Sequence, residues 1–366
     1  KKMDDSPVLI IPYTDYPREF IHDIDIKLNG QRRIAEFSVT ADREILLNSR
    51  ANARILIDKR VNKTLKIDLK KGIESIIRQE LEEEACLNIL LKWACLQKGD
   101  NLKEIFDNAE FVGWQGTFRR IAASIISKDA MGIIAIKVDG VIFLSETVNR
   151  YGENDSRWEE EAPFYEGFAH FKYKQVMTTN SEGKVDHDNP INNRSKFQVM
   201  VRSQLVNDSL DESIHLLVGS TVEALTQQGE PVEFKTIHKK AAIWKPNKTD
   251  GAIFRNLNCL LRCDLTDLKW IIFGARSDDY LLSRTMTRGR EELEELVNDS
   301  HKISYMSLFD ILKGIKKFLS EADVSSCVVE FPVETEDGKF IQISAASESE
   351  TRGILTEEFK RRFSIE

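Results

Sequence analysis

"GSTVEALTQQGEPVEFKT", residues 219–236, reads as two apolar stretches joined by a polar, glycine-containing turn, the pattern of a strand pair. In the second stretch, alternation sets Glu233 and Lys235 on one face and Val232 and Phe234 on the other, so both charged groups can enter one pocket. A carboxylate and a lysine two residues apart on one strand face are what a metal-dependent phosphodiesterase uses. Such a site needs at least one more carboxylate on the neighbouring strand to hold the ion. The neighbouring stretch offers Ser220, Thr221 and Val222 instead. Taken alone, Glu-x-Lys fits equally well the solvent face of a half-exposed strand.

The chain has 366 residues, 41% of them hydrophobic, enough to bury a substantial core. A net charge of −8 excludes a broadly basic surface, so a nucleic-acid partner would need a local basic patch or a positively lined pocket. Cys86, Cys95, Cys259, Cys263 and Cys327 are odd in number and form no Cys-x-x-Cys pair. They read as reduced thiols rather than a disulfide framework or a zinc knuckle. No apolar run reaches the length of a membrane-spanning helix, and the start "KKMDDSPVLI" lacks the apolar core of a signal peptide. These features place the protein in the cytosol or nucleus, with no membrane partner.

Short alternating stretches, "RRIAEFSVTADREILL", "ARILIDKR" and "TLKIDL", predict strands up to Gly72. Residues 73–97 carry apolar side chains at three- and four-residue spacings with acids opposite, which predicts one long amphipathic helix. "EFVGWQGTFRRIAASII" and "MGIIAIKVDGVIFLSET" predict strands, the latter an Asp-Gly hairpin. "NRYGENDSRWEEEAP" predicts a surface loop and "FYEGFAHFKYKQVMTT" a helix. A polar insert, the strand "KFQVMVRSQL" and the opening strand pair follow. Then come the helix "TDGAIFRNLNCLLRCDLTDL", the buried strand "KWIIFGARS", two further helices and a closing hairpin, "SSCVVEFPVETEDGKFIQISAAS". Helices between strands that are themselves paired by hairpins imply an α/β (α+β) fold with mixed sheets flanked by helices.

The collinear order of several short strings resembles the DXO/Dom3Z-type decapping exoribonuclease family. "FVGWQGTF" is similar to that family's Trp-Arg-Gly segment and "FAHFKYKQVM" to its Gly-Tyr-Lys-Phe-Glu helix. "LLVGSTVEA" falls at its Gly-Glu-Val-Asp, "VEFKT" at its Glu-Leu-Lys, and "WIIFGARSDDYLL" at a strand ending in Gly-Phe-Arg. The resemblance implies a single domain over residues 1–366 with a PD-(D/E)xK-nuclease-like core over about 30–320, and residues 321–366 as a C-terminal hairpin and tail.

In that family the carboxylates of the helix, of Gly-Glu-Val-Asp and of Glu-x-Lys hold divalent metal, an Arg binds phosphate and a Gln follows on a later helix. Transferred residue by residue, the Arg position is Gln115, the helix Glu is Lys174, and the Gly-Glu-Val-Asp carboxylates are Ser220 and Val222. Glu233 and Lys235 are retained, and the later Gln falls near Arg262 or Cys263. Lys174 reverses the charge where a cation should bind, so the resemblance implies a pseudoenzyme without catalytic residues that has lost its ancestral divalent metal. It also implies that Lys174 faces Glu233 across the former metal site. An alternative stays open: a one-residue bulge would bring Glu223 into the pocket and leave an active decapping enzyme or 5'-3' exoribonuclease.

The resemblance extends to a divergent branch that serves the germline piRNA pathway. It implies a nuclear, chromatin-associated adaptor in piRNA-cluster transcription and transposon silencing, with Deadlock and Rhino as protein partners and the 5' end of RNA as a ligand. Apolar anchors for such partners are expected on the helices of residues 73–97 and 291–320. His170, one turn from Lys174, reads as a capped or surface pair, and the other histidines are scattered. The basic strings "KKAAIWKPNK" and "FKRRF" fit solvated faces as well as contacts to RNA or an acidic protein.

Overall fold

The computed structural model describes residues 7–12, 25–77, 87–127, 131–147, 161–240, 250–297, 299–335 and 338–365. Its frame is a ten-stranded mixed sheet. Across it run Val8–Pro12, Gly338–Ala345, Ser326–Thr335, Met131–Val138, Val141–Glu146, Phe111–Trp114, Glu212–Thr221, Lys196–Asn207, Ile26–Val39 and Ile45–Leu47. A second, seven-stranded sheet runs Thr64–Asp68, Leu281–Gly289, Trp270–Arg276, Pro231–His238, Ala224–Leu225, Ile55–Leu56 and Thr178–Thr179. The chain of the opening stretch crosses between them: it leaves the first sheet after Thr221 and joins the second at Ala224.

Helices Gln115–Ala123, Asp250–Thr266 and Ser300–Glu321 cover one face of the large sheet. There Phe118, Leu260 and Leu308 pack with Ile133, Leu144 and Val218. Helix Glu161–Met177 covers the small sheet through Ala169, Tyr173 and Val176 against Val232, Phe234 and Ile272. The expected faces of 231–238 follow: Val232 and Phe234 are fully buried in that core. Gly274 is required beneath the helix, because a Cβ there would lie 2.7 Å from the Tyr173 ring. The Asp-Gly hairpin also forms, with Asp139 and Gly140 both at positive φ (47° and 79°), as a tight two-residue turn demands. No helix of the described residues is long and apolar enough to cross a membrane.

Several expectations are corrected. Residues 73–97 are not one helix among the described residues: Ile73–Ser75 is a 3-10 turn, Ile77 bridges Asn192, and the α-helix spans Asn88–Cys95. The three isoleucines at 73, 76 and 77 satisfy a helical period by coincidence. After Phe111–Trp114, "QGTFRRIAA" is a helix rather than a strand. The C-terminal hairpin is not peripheral, since its strand Ser326–Thr335 lies between Gly338–Ala345 and Met131–Val138 inside the large sheet.

Nor is the tail loose. Phe359 and Phe363 enter the core on the sheet's other face, Phe359 edge-on to Phe143 at 5.5 Å. "FKRRF" thus ends an anchored short helix, Glu357–Arg362, with Arg362 paired to Asp100. The predicted loop over 149–163 and most of "KKAAIWKPNK" lie outside the described residues, although helix Glu161–Met177 already includes Glu161–Pro163. Cys95, Cys259, Cys263 and Cys327 are free thiols.

Candidate functional site

Where the two sheets meet, an open cavity of about 610 Å³ is bounded by the end of Glu212–Thr221, helix Glu161–Met177, the start of Gln115–Ala123 and one face of Asp250–Thr266. Glu233 lies beneath it, only 1% exposed. A carboxylate so buried requires compensation. Two cations supply it: Lys235 Nζ donates to Oε1 at 2.8 Å and Arg262 Nη2 to Oε2 at 2.8 Å. Burial is the strongest single influence and lowers the pKa of both bases, but Glu233 and Glu223 together outweigh it and raise them.

Arg262 does more than pair with Glu233. Its Nη1 donates to Gln115 Oε1 at 2.9 Å and its Nη2 also to the Thr221 carbonyl at 3.1 Å. One guanidinium therefore joins Glu233, the end of strand Glu212–Thr221, and Gln115. The resemblance places an Arg at 115 and a Gln near 262, and here the two residue types stand exchanged and bonded to each other.

The expected contact between Lys174 and Glu233 is corrected. No salt bridge joins them, because Glu233 is already filled by Arg262 and Lys235. Lys174 lines the cavity, and the carboxylate that acts on it most strongly is Glu223. Ser220 also lines the cavity, its hydroxyl bonded to the Thr221 carbonyl. Val222 packs with Ala53, Phe197 and Val199 in a small apolar cluster. Gly219 lets Trp114 lie flat against this strand, for a Cβ there would be 2.8 Å from the indole.

Glu223 does reach the cavity, but not through a bulge. The pairing of Lys196–Asn207 with Glu212–Thr221 runs without a register shift to Thr221, and the crossing between sheets re-aims the next residues. Both its oxygens are engaged: His170 Nε2 lies 2.7 Å from Oε1, and the Phe234 backbone N–H donates to Oε2 at 2.6 Å. Burial would raise this carboxyl, yet His170, Lys235 and Lys174 prevail and hold it far below the usual carboxylate range. His170 is therefore a partner inside the site rather than a surface residue. Sequence periodicity did not mark it, or Arg262, as part of the site.

The chemistry of these side chains does not fit a divalent cation. A hard cation needs several free anionic oxygens converging on one point. Here Glu233 faces two cations, Glu223 is taken by His170 and a backbone N–H, Ser220 is neutral, and Val222 belongs to the core. Among the described residues, no group of three or more His, Cys, Asp or Glu side chains comes together to hold a metal. The lining is instead rich in cations: Arg43, Arg54, Arg119, Arg120, Lys174, Lys196 and Arg262 against Glu146, Asp186 and Glu223.

The chain is similar along most of its length to known proteins. The family described as RAI1 like PD-(D/E)XK nuclease matches residues 31–360. The decapping nuclease dom-3 of Caenorhabditis elegans is 26% identical over 321 residues, covering 85% of this chain and 79% of that protein. Rai1 of Scheffersomyces stipitis, solved in complex with (3'-NADP)+ and calcium ion, superposes with a TM-score of 0.74 at 14% identity, over 99% of each chain. Rai1 of Candida albicans, solved with pU5-Mn2+, gives 0.72 at 13% identity, over 98% of this chain and 100% of the other. At such identities these two structures establish the shared fold.

Proposed function

Because the chain belongs to the RAI1-like PD-(D/E)XK nuclease family, we propose that it is a member that has given up hydrolysis and uses the decapping-nuclease fold for binding. The observation that carries this reading is the state of Glu233. The carboxylate that the family would present to a metal is held between the Arg262 guanidinium and the Lys235 ammonium. An ammonium, Lys174, also stands at the helix position where the resemblance requires a carboxylate. Internal cations thus supply the charge that calcium and Mn2+ bring to the solved relatives. They cannot supply a metal-bound water as nucleophile.

The alternative, an active decapping or exonuclease enzyme, is favoured by one observation, the presence of Glu223 in the cavity. Activity would require His170 to release that carboxylate and Arg262 to vacate Glu233.

The test is hydrolysis. Purified protein with Mn2+ or Mg2+ should release no cap, pyrophosphate or nucleotide from 5'-triphosphate, NAD-capped or 5'-monophosphate RNA. Time-dependent release that disappears in Glu233→Ala would overturn the reading. Restoring one carboxylate, as in Ser220→Glu, should not bring activity back, because groups that act as a unit are strongly non-additive.

The binding role we propose is that of an adaptor of the Cutoff type. In it, the protein acts in the nucleus at chromatin in germline piRNA-cluster transcription and transposon silencing. It shields nascent transcripts from 5'-end processing, splicing or termination through partners such as Deadlock and Rhino. Helix Ser300–Glu321 buries its large apolar side chains, whereas Ile77 and Leu96 within residues 73–97 are exposed; further exposed ones lie on both edge strands of the large sheet, Val8 and Ile10 at one edge and Leu46 and Leu47 at the other. An edge strand with free backbone groups and apolar side chains suits addition of a partner strand.

A further inference from the structure

We propose that the free edge of strand Thr64–Asp68 receives an extended acidic segment of a partner protein, added to the small sheet as a further strand. Thr64–Asp68 is a terminal strand: Leu281–Gly289 pairs with it on one side, and no strand lies on the other among the described residues. Its backbone groups on that side are open to a new partner. The two faces of the strand differ. Thr64, Lys66 and Asp68 are exposed, whereas Leu65 and Ile67 are half-buried and pack on the core of Tyr173, Val232 and Phe234. The core of the small sheet therefore ends at two apolar side chains that are only partly covered, and an added strand with apolar residues at alternate positions extends it.

Charge selects which strand is added. Residues 58–72 carry six basic side chains, Lys59, Arg60, Lys63, Lys66, Lys70 and Lys71, against Asp58 and Asp68, in a chain whose net charge is −8. Some of this charge is used within the fold. Arg60 donates inward to the Val176 carbonyl, Lys71 pairs with Asp188 at 2.7 Å, and Asp68 Oδ1 accepts from the Lys70 backbone N–H at 2.8 Å. Lys59, Lys63 and Lys66 are exposed and make no side-chain hydrogen bond or ion pair among the described residues.

Lysines on an edge strand ward off neutral and basic strands. Carboxylates opposite them turn that repulsion into cross-strand pairs. The partner segment thus alternates carboxylate and apolar side chains. Single-stranded RNA matches the lysines but not the edge, because its phosphates accept from the strand's N–H groups and cannot donate to its carbonyls. None of these residues lines the cavity above Glu233, so the contact is independent of hydrolysis there.

The experiment is fluorescence anisotropy of the full chain with a labelled peptide that alternates glutamate and valine, and with the same peptide N-methylated at alternate residues, which keeps its charge but removes the N–H groups of one edge. The unmethylated peptide should bind, and raising salt from about 50 to about 300 mM should weaken it severalfold because exposed charges are screened. N-methylation should weaken it about tenfold, since main-chain hydrogen bonds supply the affinity of strand addition. Lys63→Glu with Lys66→Glu should also weaken it about tenfold through like-charge repulsion, with an unchanged thermal midpoint because neither side chain has a partner in the fold. Amide hydrogen exchange at residues 64–68 should slow when the peptide is bound. No binding, equal affinity for the N-methylated peptide, or unchanged affinity in the charge-reversed protein would overturn the proposal. So would oligouridylate binding through the same two lysines in place of the peptide, which assigns the edge to nucleic acid, or a dimer of the chain alone that the charge reversal dissociates, which assigns it to a second copy.

Discussion

Arg262→Leu is expected to cost about 3 kcal/mol of folding stability, the lower end of the loss on breaking a buried ion pair by removing one partner. The substitution keeps an apolar stem of similar volume but strips Glu233 Oε2, Gln115 Oε1 and the Thr221 carbonyl of their donor at once. Lys235 remains on the other Glu233 oxygen, which is why the larger losses in that range are not expected. Urea denaturation should show a lower midpoint with an unchanged slope, because the folded and unfolded surfaces stay the same. A loss under about 1 kcal/mol would mean that the guanidinium is a bystander. The reciprocal variant Gln115→Arg with Arg262→Gln should be more stable than the sum of the two single losses predicts, since the pair interacts directly.

The second large effect is tied to pH. Glu223→Gln should cost about 2–3 kcal/mol at pH 7, because the amide cannot offer a charged acceptor to both His170 and the Phe234 N–H. Burial raises the Glu223 carboxyl, but His170, Lys235 and Lys174 outweigh it, so its folded pKa lies below the ordinary value of 4.5. A depressed folded pKa contributes stability that is fully present above the unfolded pKa and is lost as pH falls through the folded one. The gap between parent and Glu223→Gln should therefore be constant from pH 7 to about pH 5 and narrow steadily below the ordinary carboxylate range. Denaturation curves at pH 7, 4 and 3 measure it. A gap that stays constant down to pH 3 would show that the carboxylate is not held ionised by its neighbours.

Much of this site was legible in the sequence because its signals are local. Alternation alone placed Glu233 and Lys235 opposite Val232 and Phe234, and the Asp139-Gly140 dipeptide announced its hairpin. The order of short motifs indicated the family before any coordinates. What escaped was non-local. The direction of Glu223 depends on where the chain leaves one sheet for another, a property of strand pairing that period-2 reasoning within one strand cannot supply. Lys174 was assigned to Glu233 because position matching says which residues share a pocket, not which of several cations reaches a given oxygen. Arg262 is separated from Glu233 by 29 positions and sits on a helix whose apolar spacing says nothing of its polar face. One clue was available: Gln115 at an Arg position, with the later Gln position falling near Arg262 or Cys263, leaves room for an exchange in which the guanidinium comes from the later helix. The 73–97 segment failed for a different reason, because residues at helical spacing also suit a 3-10 turn followed by an extended stretch, and Gly72, at φ 88°, starts that turn.

The central claim is that side-chain cations occupy the place of the family's metal. It is tested most directly by adding Mn2+ to metal-stripped protein and following the thermal midpoint, since a ligand that binds only the folded state must raise it. The midpoint should be the same with and without millimolar Mn2+ for the parent and for Glu233→Gln alike. A rise of several degrees in the parent that vanishes in Glu233→Gln would contradict it and return Glu233 to the role of a metal ligand.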